Sequence, residues 1–190
     1  QKDWAANIGP VTNTLPKLQA VMNSDAGSEV YLADLIVLGG YEAIGKDGGT
    51  PMAFCPNRVD GSEDFAKFSA EIAPREYYAS GAAKVKDDCL VMGFANMKEC
   101  VAATFGYPRD SMGFGDFFGL AAAGDSSAQS FTVAEGAFFT DSELMDIATT
   151  FSGDKAAFKE AFAKGWVHLM NAGRYTGPDT SYCVDANVIA

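Results

Sequence analysis

The chain carries few of the side chains that catalysis and metal binding use. It has 190 residues and a single histidine, His168, which stands between Val167 and Leu169. One histidine does not define a Ser–His–Asp set, and the motif G-x-S-x-G is absent. Metal sites would lack the nitrogen ligands that transition metals commonly use. We therefore predict no catalytic residues and no metal site, and we interpret His168 as a partly packed or surface helix residue.

Four cysteines are the other reactive side chains, and none of them forms a CxxC pair. This spacing argues against a zinc or redox motif. Two states remain compatible with the sequence: one or two disulfides in an oxidising compartment, or four buried thiols. The cysteines are Cys55, Cys89, Cys100 and Cys183.

Carboxylates are plentiful, but they are not arranged as a catalytic pair. Adjacent residues point to different sides of a helix or a strand, so neighbouring acids indicate solvated surface. The examples are Glu63 with Asp64 and Asp87 with Asp88. The chain has 25 acidic and 14 basic side chains, which gives a net charge of −11. This balance argues against nucleic-acid binding and permits a basic protein partner.

Hydrophobic periodicity predicts a mainly α-helical fold. No apolar run reaches the roughly 18 residues that a membrane span needs, so we predict no spanning helix. The clearest helix is 154–171, where Phe158, Phe162 and Gly165 recur on one face. Thr140 and Glu143 predict a capping box. The predicted helices are 14–22 with Pro16 in its first turn, 63–72, 95–105, 111–123, 140–150 and 154–171.

Residues 30–45, VYLADLIVLGGYEAIG, are either a strand leading to a phosphate loop or one apolar helix. The glycines have neither the G-x-G-x-x-G spacing nor the lysine of a P-loop, so we favour the helix. Ser28 is its predicted N-cap. The predicted buried face includes two glycines, which we expect to permit close approach of another helix. That face consists of Leu32, Leu35, Ile36, Gly39, Gly40 and Ala43.

Several segments, in order, resemble class I haem peroxidases. They are LADLIVLGG, PMAFCPNRVDG, GDFFGLAAA, FFTDSELMDIA and FKEAFAKGWVHLMNAGRY. The likeness is strongest to the carboxy-terminal, haem-free half of bacterial catalase-peroxidases, and it covers residues 12–175. The resemblance implies a peroxidase-like bundle of two helical layers, truncated because the distal-side helices are missing. We divide the chain into an N-terminal extension (1–13), the peroxidase-like domain (14–175) and a C-terminal tail (176–190).

The resemblance also indicates which residues peroxidase chemistry would need. Haem peroxidases use a proximal imidazole on the iron, and a distal imidazole with an arginine. The segment 94–106 should carry the proximal histidine but offers only Cys100, which we interpret as a structural thiol. Phe114 stands about where the family has its proximal aspartate, and Asp116 is expected to cap or orient its own helix. We therefore predict that haem is absent.

Arg58 and Asp60, in NRVDG, are the polar residues of the loop that orders the chain beneath the helix in the resembled family. We predict a structural arginine–carboxylate contact there.

The preferred hypothesis is a non-catalytic peroxidase-fold protein that acts as a structural or docking subunit. Plants and algae have peroxidase-like proteins of the thylakoid lumen that lack catalytic residues. The acidic charge, the non-Met start at Gln1 and the cysteines suit a lumenal or exported setting, so an extrinsic photosystem subunit is our specific hypothesis. The alternatives are a haem-dependent peroxidase with unusual ligation, active in oxidative stress, and a small-molecule binding module.

Overall fold

The computed structural model describes residues 5–25, 29–56, 58, 82–106, 113–125 and 131–171. These residues form helices and connections, and none of them belongs to a β-strand. The mainly α fold predicted from the sequence is confirmed. The elements are α1 (Ala5–Asp25), α2 (Leu32–Lys46), α3 (Ala82–Val91), α4 (Met97–Phe105), α5 (Asp116–Ala123), α6 (Val133–Gly136) with a 3₁₀ turn (Ala137–Phe139), α7 (Ser142–Gly153) and α8 (Lys155–Asn171).

The predicted helix 63–72 lies outside the described residues, as do Asp60, Glu63, Asp64 and Cys183.

Helix α1 is longer than the predicted helix 14–22. It begins at Ala5, so Pro10 and Pro16 both lie inside it, and the prediction that Pro16 occupies the first turn is wrong. A proline removes one backbone donor, and here it does not end the helix. Leu18 of this helix is 45% exposed. Helix α1 crosses the predicted boundary between residues 13 and 14 without a break. The division of the chain into extension, domain and tail stays a prediction.

Helix α2 confirms the helical interpretation of residues 30–45 but begins later than predicted. Its N-cap residue is Tyr31, not Ser28, and Tyr31 makes no side-chain capping bond. The predicted face is also rotated, because Ile36 is 55% exposed and Gly39 faces open space. Of the two glycines, only Gly40 faces another helix: a Cβ there would lie 3.4 Å from Cζ2 of Trp166 in α8. The buried residues of α2 are Asp34, Leu35, Val37, Tyr41 and Ile44.

Helices α4, α5, α7 and α8 form the centre of the described fold. Helix α8 packs most extensively on α4, and α5 packs most extensively on α7. Their contact surfaces are filled by phenylalanine rings in edge-to-face and tilted pairs, which aromatic quadrupoles favour. The central rings are Phe105, Phe117, Phe118, Phe138, Phe151, Phe158 and Phe162.

Gly165 sets the distance between α8 and α4. A Cβ at this position would lie 2.8 Å from the Cβ of Ala103, and nearer still to the backbone oxygen of Glu99. Only a glycine permits the two backbones to approach this closely. The predicted face of the terminal helix is thus confirmed, since Phe158, Phe162 and Gly165 are all buried.

A capping box exists in the chain, but not where the sequence predicted it. Helix α7 begins at Ser142, and its N-cap is Asp141, whose carboxylate accepts from the backbone N–H of Leu144 at 3.1 Å. The reciprocal pair instead precedes α6, where the Thr132 hydroxyl accepts from the Glu135 N–H and the Glu135 carboxylate accepts from the Thr132 N–H. The carboxylate of Glu143 instead forms an ion pair with Lys86 of α3.

Candidate functional site

Arg58 is a buried cation that joins two distant parts of the chain. Its Nη1 atom lies 2.8 Å from Oδ1 of Asp34, and each residue is only 8% exposed. Nη1 also donates to the backbone oxygen of Cys55. A buried charge needs a partner and satisfied hydrogen bonds, and this arginine has both.

The same guanidinium reaches the end of the last described helix. Nε and Nη2 of Arg58 donate to the backbone oxygen of Met170 at 3.1 and 2.9 Å, and Nη2 also donates to Oδ1 of Asn171 at 3.4 Å. The carbonyls of a helix C-terminus lack intrahelical donors and carry partial negative charge, so a guanidinium is stabilising there. We call Asp34, Cys55, Arg58, Met170 and Asn171 the Arg58 junction.

The Arg58 junction confirms the predicted structural arginine–carboxylate contact. The carboxylate that the structure describes as its partner is Asp34, which sequence reasoning missed. One signal could have found it: Asp34 is the sole charge in the otherwise apolar run LADLIVLGG. The backbone N–H of Arg58 also donates to both oxygens of Asp34, at 3.2 and 3.3 Å, so the contact fixes the loop as well as the side chain.

His168 is a partly packed residue of α8, as predicted. Its Nε2 lies 2.8 Å from the backbone oxygen of Met92, and its ring is tilted against Phe94 with 4.6 Å between centroids. A carbonyl oxygen can only accept, so Nε2 must carry the proton in this contact. That nitrogen is therefore not available as a metal ligand, whereas Nδ1 makes no such contact with any described residue.

Cys89 of α3 and Cys100 of α4 form a disulfide, with 5.6 Å between their Cα atoms. Cys100 is 0% exposed. Cys55 is also disulfide-bonded. The alternative of four buried thiols is therefore wrong, and Cys100 cannot supply a thiolate, because its sulfur is bonded to another sulfur.

The described residues at the positions that the resemblance assigns to the proximal side of a haem do not fit that group. Segment 94–106 offers no histidine, and Cys100 is in the disulfide. Phe114, at the aspartate position, has no carboxylate. Its ring packs edge-to-face on Phe162, with 4.8 Å between the ring centroids. Asp116 accepts from the Gly113 N–H at 2.7 Å and orients the turn before its own helix, as predicted. Within the described ranges, no group of three or more His, Cys, Asp or Glu residues could hold a metal ion.

Lys86 of α3 connects two acidic residues at the start of α7. Its Nζ lies 3.0 Å from Asp141 Oδ2 and 2.8 Å from Glu143 Oε2. The hydrogen bond from Lys86, assisted by the Leu144 N–H, lowers the pKa of Asp141. The hydrogen bonds to Glu143 and Asp141 raise the pKa of Lys86. This cluster stabilises a helix start and contains no reactive group.

Asp87 and Asp88 were expected to be solvated surface. Asp87 is exposed, but Asp88 is only partly exposed and contacts Lys84 one turn earlier. The expectation is therefore right for Asp87 and wrong for Asp88.

In the part of the chain that the structure describes, no helix is both long enough and apolar enough to cross a bilayer.

Comparison with known proteins gives relatives of one kind. A catalase-peroxidase of Phaeosphaeria nodorum is 27% identical over 192 aligned positions, which cover 93% of this chain and 25% of that protein. Catalase-peroxidases of Blumeria hordei and Pseudomonas putida are 44% and 48% identical over 70 and 71 residues, which cover 34% of this chain. No protein-family model and no solved structure matches the chain.

The chain spans between about a tenth and a quarter of the length of these relatives. The matches confirm the resemblance found in the sequence segments. The chain is therefore related to a part of the catalase-peroxidases, which are class I haem peroxidases.

Proposed function

We propose that this chain is a peroxidase-like helical domain that performs no haem chemistry and serves as a structural or docking subunit. One observation carries the proposal. Among the described side chains that could replace the proximal ligand, His168 donates from Nε2 to the Met92 carbonyl, which leaves only its Nδ1, and Cys100 is in the disulfide with Cys89.

The packing that remains supports the same proposal. The centre between α4, α5, α7 and α8 is filled by phenylalanine side chains, and the Arg58 junction ties α2, a loop and α8 together. A filled centre also lowers the case for a small-molecule module that would use a vacated haem pocket. A packed interior that presents no reactive group in the described part of the chain suits a scaffold.

The alternative function is a haem-dependent peroxidase with unusual ligation, acting in the response to oxidative stress. The names of the relatives favour it, and Nδ1 of His168 is the one imidazole atom left for iron. It would also need a distal acid–base group, which no second histidine of this chain supplies.

Haem titration separates the two functions. Haemin is added to the purified full chain and to His168→Ala, and the Soret band and peroxide-dependent oxidation of ascorbate are measured. We expect no stoichiometric Soret band and the same absence of turnover in both proteins. One haem per chain with turnover in the parent protein, both lost in His168→Ala, would show that the scaffold proposal is wrong.

For location, we propose an oxidising compartment, specifically the thylakoid lumen. Disulfides persist in oxidising compartments and are uncommon in reducing ones, so the Cys89–Cys100 bond supports this setting. Thiol labelling of protein taken directly from its native source is the test. Complete labelling of Cys89 and Cys100 before reduction would contradict an oxidising location, whereas labelling only after reduction supports it.

For the partner, we propose a basic surface on a larger membrane complex, with a photosystem as the specific candidate. The net charge of −11 supports a cationic partner, because opposite charges accelerate and orient association. Crosslinking in native membranes, followed by mass spectrometry, should recover photosystem subunits joined through their lysines. Crosslinks only to proteins other than photosystem subunits would contradict the photosystem as the partner, and they would leave the scaffold proposal unchanged.

A further inference from the structure

An amphipathic groove runs between the loop after α2, the start of α5 and the start of α8. Two adjoining cavities, of about 340 and 300 Å³, form it, and they share Phe114, Asp116, Lys155 and Phe158 as lining residues. Small-molecule sites commonly have volumes of this order, with an apolar lining and a few polar groups. The groove is separate from the Arg58 junction and from His168, neither of which lines it.

Glycine residues, which have no side chain, form much of the groove wall. Gly48, Gly49, Gly113, Gly115 and Gly119 all line it. Gly115 has a φ of +77° and sits against the ring of Phe158, where a Cβ would lie only 2.8 Å from a ring carbon. The wall at this point therefore needs glycine both for its backbone conformation and for space.

Two lysines supply positive charge on one side of the groove. Lys155 and Lys159 are one turn apart on α8, and a Cβ built on Gly48 would lie 3.8 Å from Nζ of Lys159. Neither ammonium pairs with a described carboxylate, whereas Lys84, Lys86 and Lys164 each do. Lys155 and Lys159 therefore line the groove beside an apolar floor without an ion pair to any described carboxylate, and Asp47 lines the same cavity.

Asp116 restricts how an anion could lie. Its carboxylate lines both cavities, and Oδ2 already accepts from the Gly113 N–H at 2.7 Å. An anionic group would be repelled by Asp116 and Asp47 and attracted to Lys155 and Lys159, while an aromatic body would contact Phe114 and Phe158. We propose that the groove is a binding site for a small aromatic carboxylate of one or two rings, held by Lys155 and Lys159 through its carboxylate. This site goes beyond the scaffold role.

Fluorescence titration of the full chain with 1-naphthoate and with neutral 1-naphthalenemethanol tests the proposal. We expect saturable one-to-one binding of 1-naphthoate. The double variant Lys155→Gln/Lys159→Gln should weaken 1-naphthoate about fourfold or more, because each exposed charge contact contributes up to about fivefold, and should leave 1-naphthalenemethanol unchanged. Lys98→Gln, which removes an exposed charge on α4, is the matched control and should bind like the parent.

Gly119→Leu tests the cavity itself. A Cβ at this position of α5 meets only Ser152 Oγ, at 3.8 Å, so a side chain can start there in ordinary contact with the wall of the groove. We expect both ligands to lose binding, with circular dichroism and thermal unfolding confirming the fold. No saturable binding by the parent chain, or equal binding by the parent and the lysine double variant, would overturn the proposal. If Gly119→Leu does not fold, the titration of the Lys155→Gln/Lys159→Gln variant by itself tests the proposal.

Discussion

Nη1 of Arg58 lies 2.8 Å from Oδ1 of Asp34, and the two residues are separated by 24 positions in the chain. Because of this contact, the Asp34 side chain points into the protein. Val37, Tyr41 and Ile44 lie on the same side of α2 and are also buried. These residues follow each other at intervals of three or four, so they share one helical face. The ion pair therefore fixes which side of α2 is buried.

We expect the loss of either partner of this pair to be strongly destabilising. Asp34→Leu leaves the buried guanidinium uncompensated, and Arg58→Met does the same to the carboxylate. Each single change should lower the free energy of unfolding by about 3–5 kcal/mol, measured by urea denaturation. The double variant should cost less than the sum of the two, because no charge is left buried.

Lys164→Gln is the matched control for the Arg58 junction. It removes an ion pair with Glu160 on the exposed side of α8, and such pairs contribute little. The urea midpoint should hardly move. A shift for Arg58→Met as small as that for Lys164→Gln would mean that the Arg58 junction is not a structural contact.

Residues 30–45 show why the helix was predictable and its orientation was not. Leu32, Ile36 and Ala43 form one apolar side of α2, and Val37, Tyr41 and Ile44 form another. A helix that is apolar on several sides gives no preferred face in its own pattern. The choice comes from Arg58, which is distant in sequence. In α8 the lysines identify the solvent-facing side, so the pattern predicted the buried face correctly.

Local motifs failed for a similar reason. Thr132-Val-Ala-Glu135 and Thr140-Asp-Ser-Glu143 have the same spacing, but only the first forms a capping box. In the second, Lys86 from a distant helix contacts Glu143, and Asp141 caps instead. Helix α3 was not predicted at all, and it is attached by tertiary contacts, the disulfide to α4 and the ion pairs of Lys86 with α7 and its N-cap residue.

The glycines of α2 and α8 should respond oppositely to alanine. Gly165→Ala places a Cβ against Ala103 and Glu99, so α8 must move away from α4, at a cost of roughly 1–3 kcal/mol. Gly39→Ala meets nothing within 4 Å and gains helix propensity, up to about 1 kcal/mol. Thermal unfolding measures both. Equal melting temperatures for the two variants would contradict the close approach of α4 and α8.

Removal of the Cys89–Cys100 disulfide should destabilise the chain through the unfolded state. The bridge closes a loop with a sequence separation of 11, for which the chain-entropy estimate is about 3 kcal/mol. Cys89→Ala/Cys100→Ala should show this loss in urea denaturation. Peptide mapping without reduction should recover the two cysteines in one linked peptide pair. Recovery of both as free thiols would contradict the bond.

Acid should weaken the contact between α3 and α7. Lys86 lowers the pKa of Asp141, so between the folded and unfolded pKa values the unfolded chain binds more protons. The stability from this contact is therefore present above the ordinary aspartate pKa of about 4 and is lost as the pH falls through the lowered value. NMR titration of the Asp141 carboxyl should give a pKa below the ordinary range. In Lys86→Gln the pKa should rise, though the Leu144 N–H still lowers it, and in Lys164→Gln it should not change. An Asp141 pKa that is the same in Lys86→Gln and in the parent chain would show that Lys86 does not carry the effect.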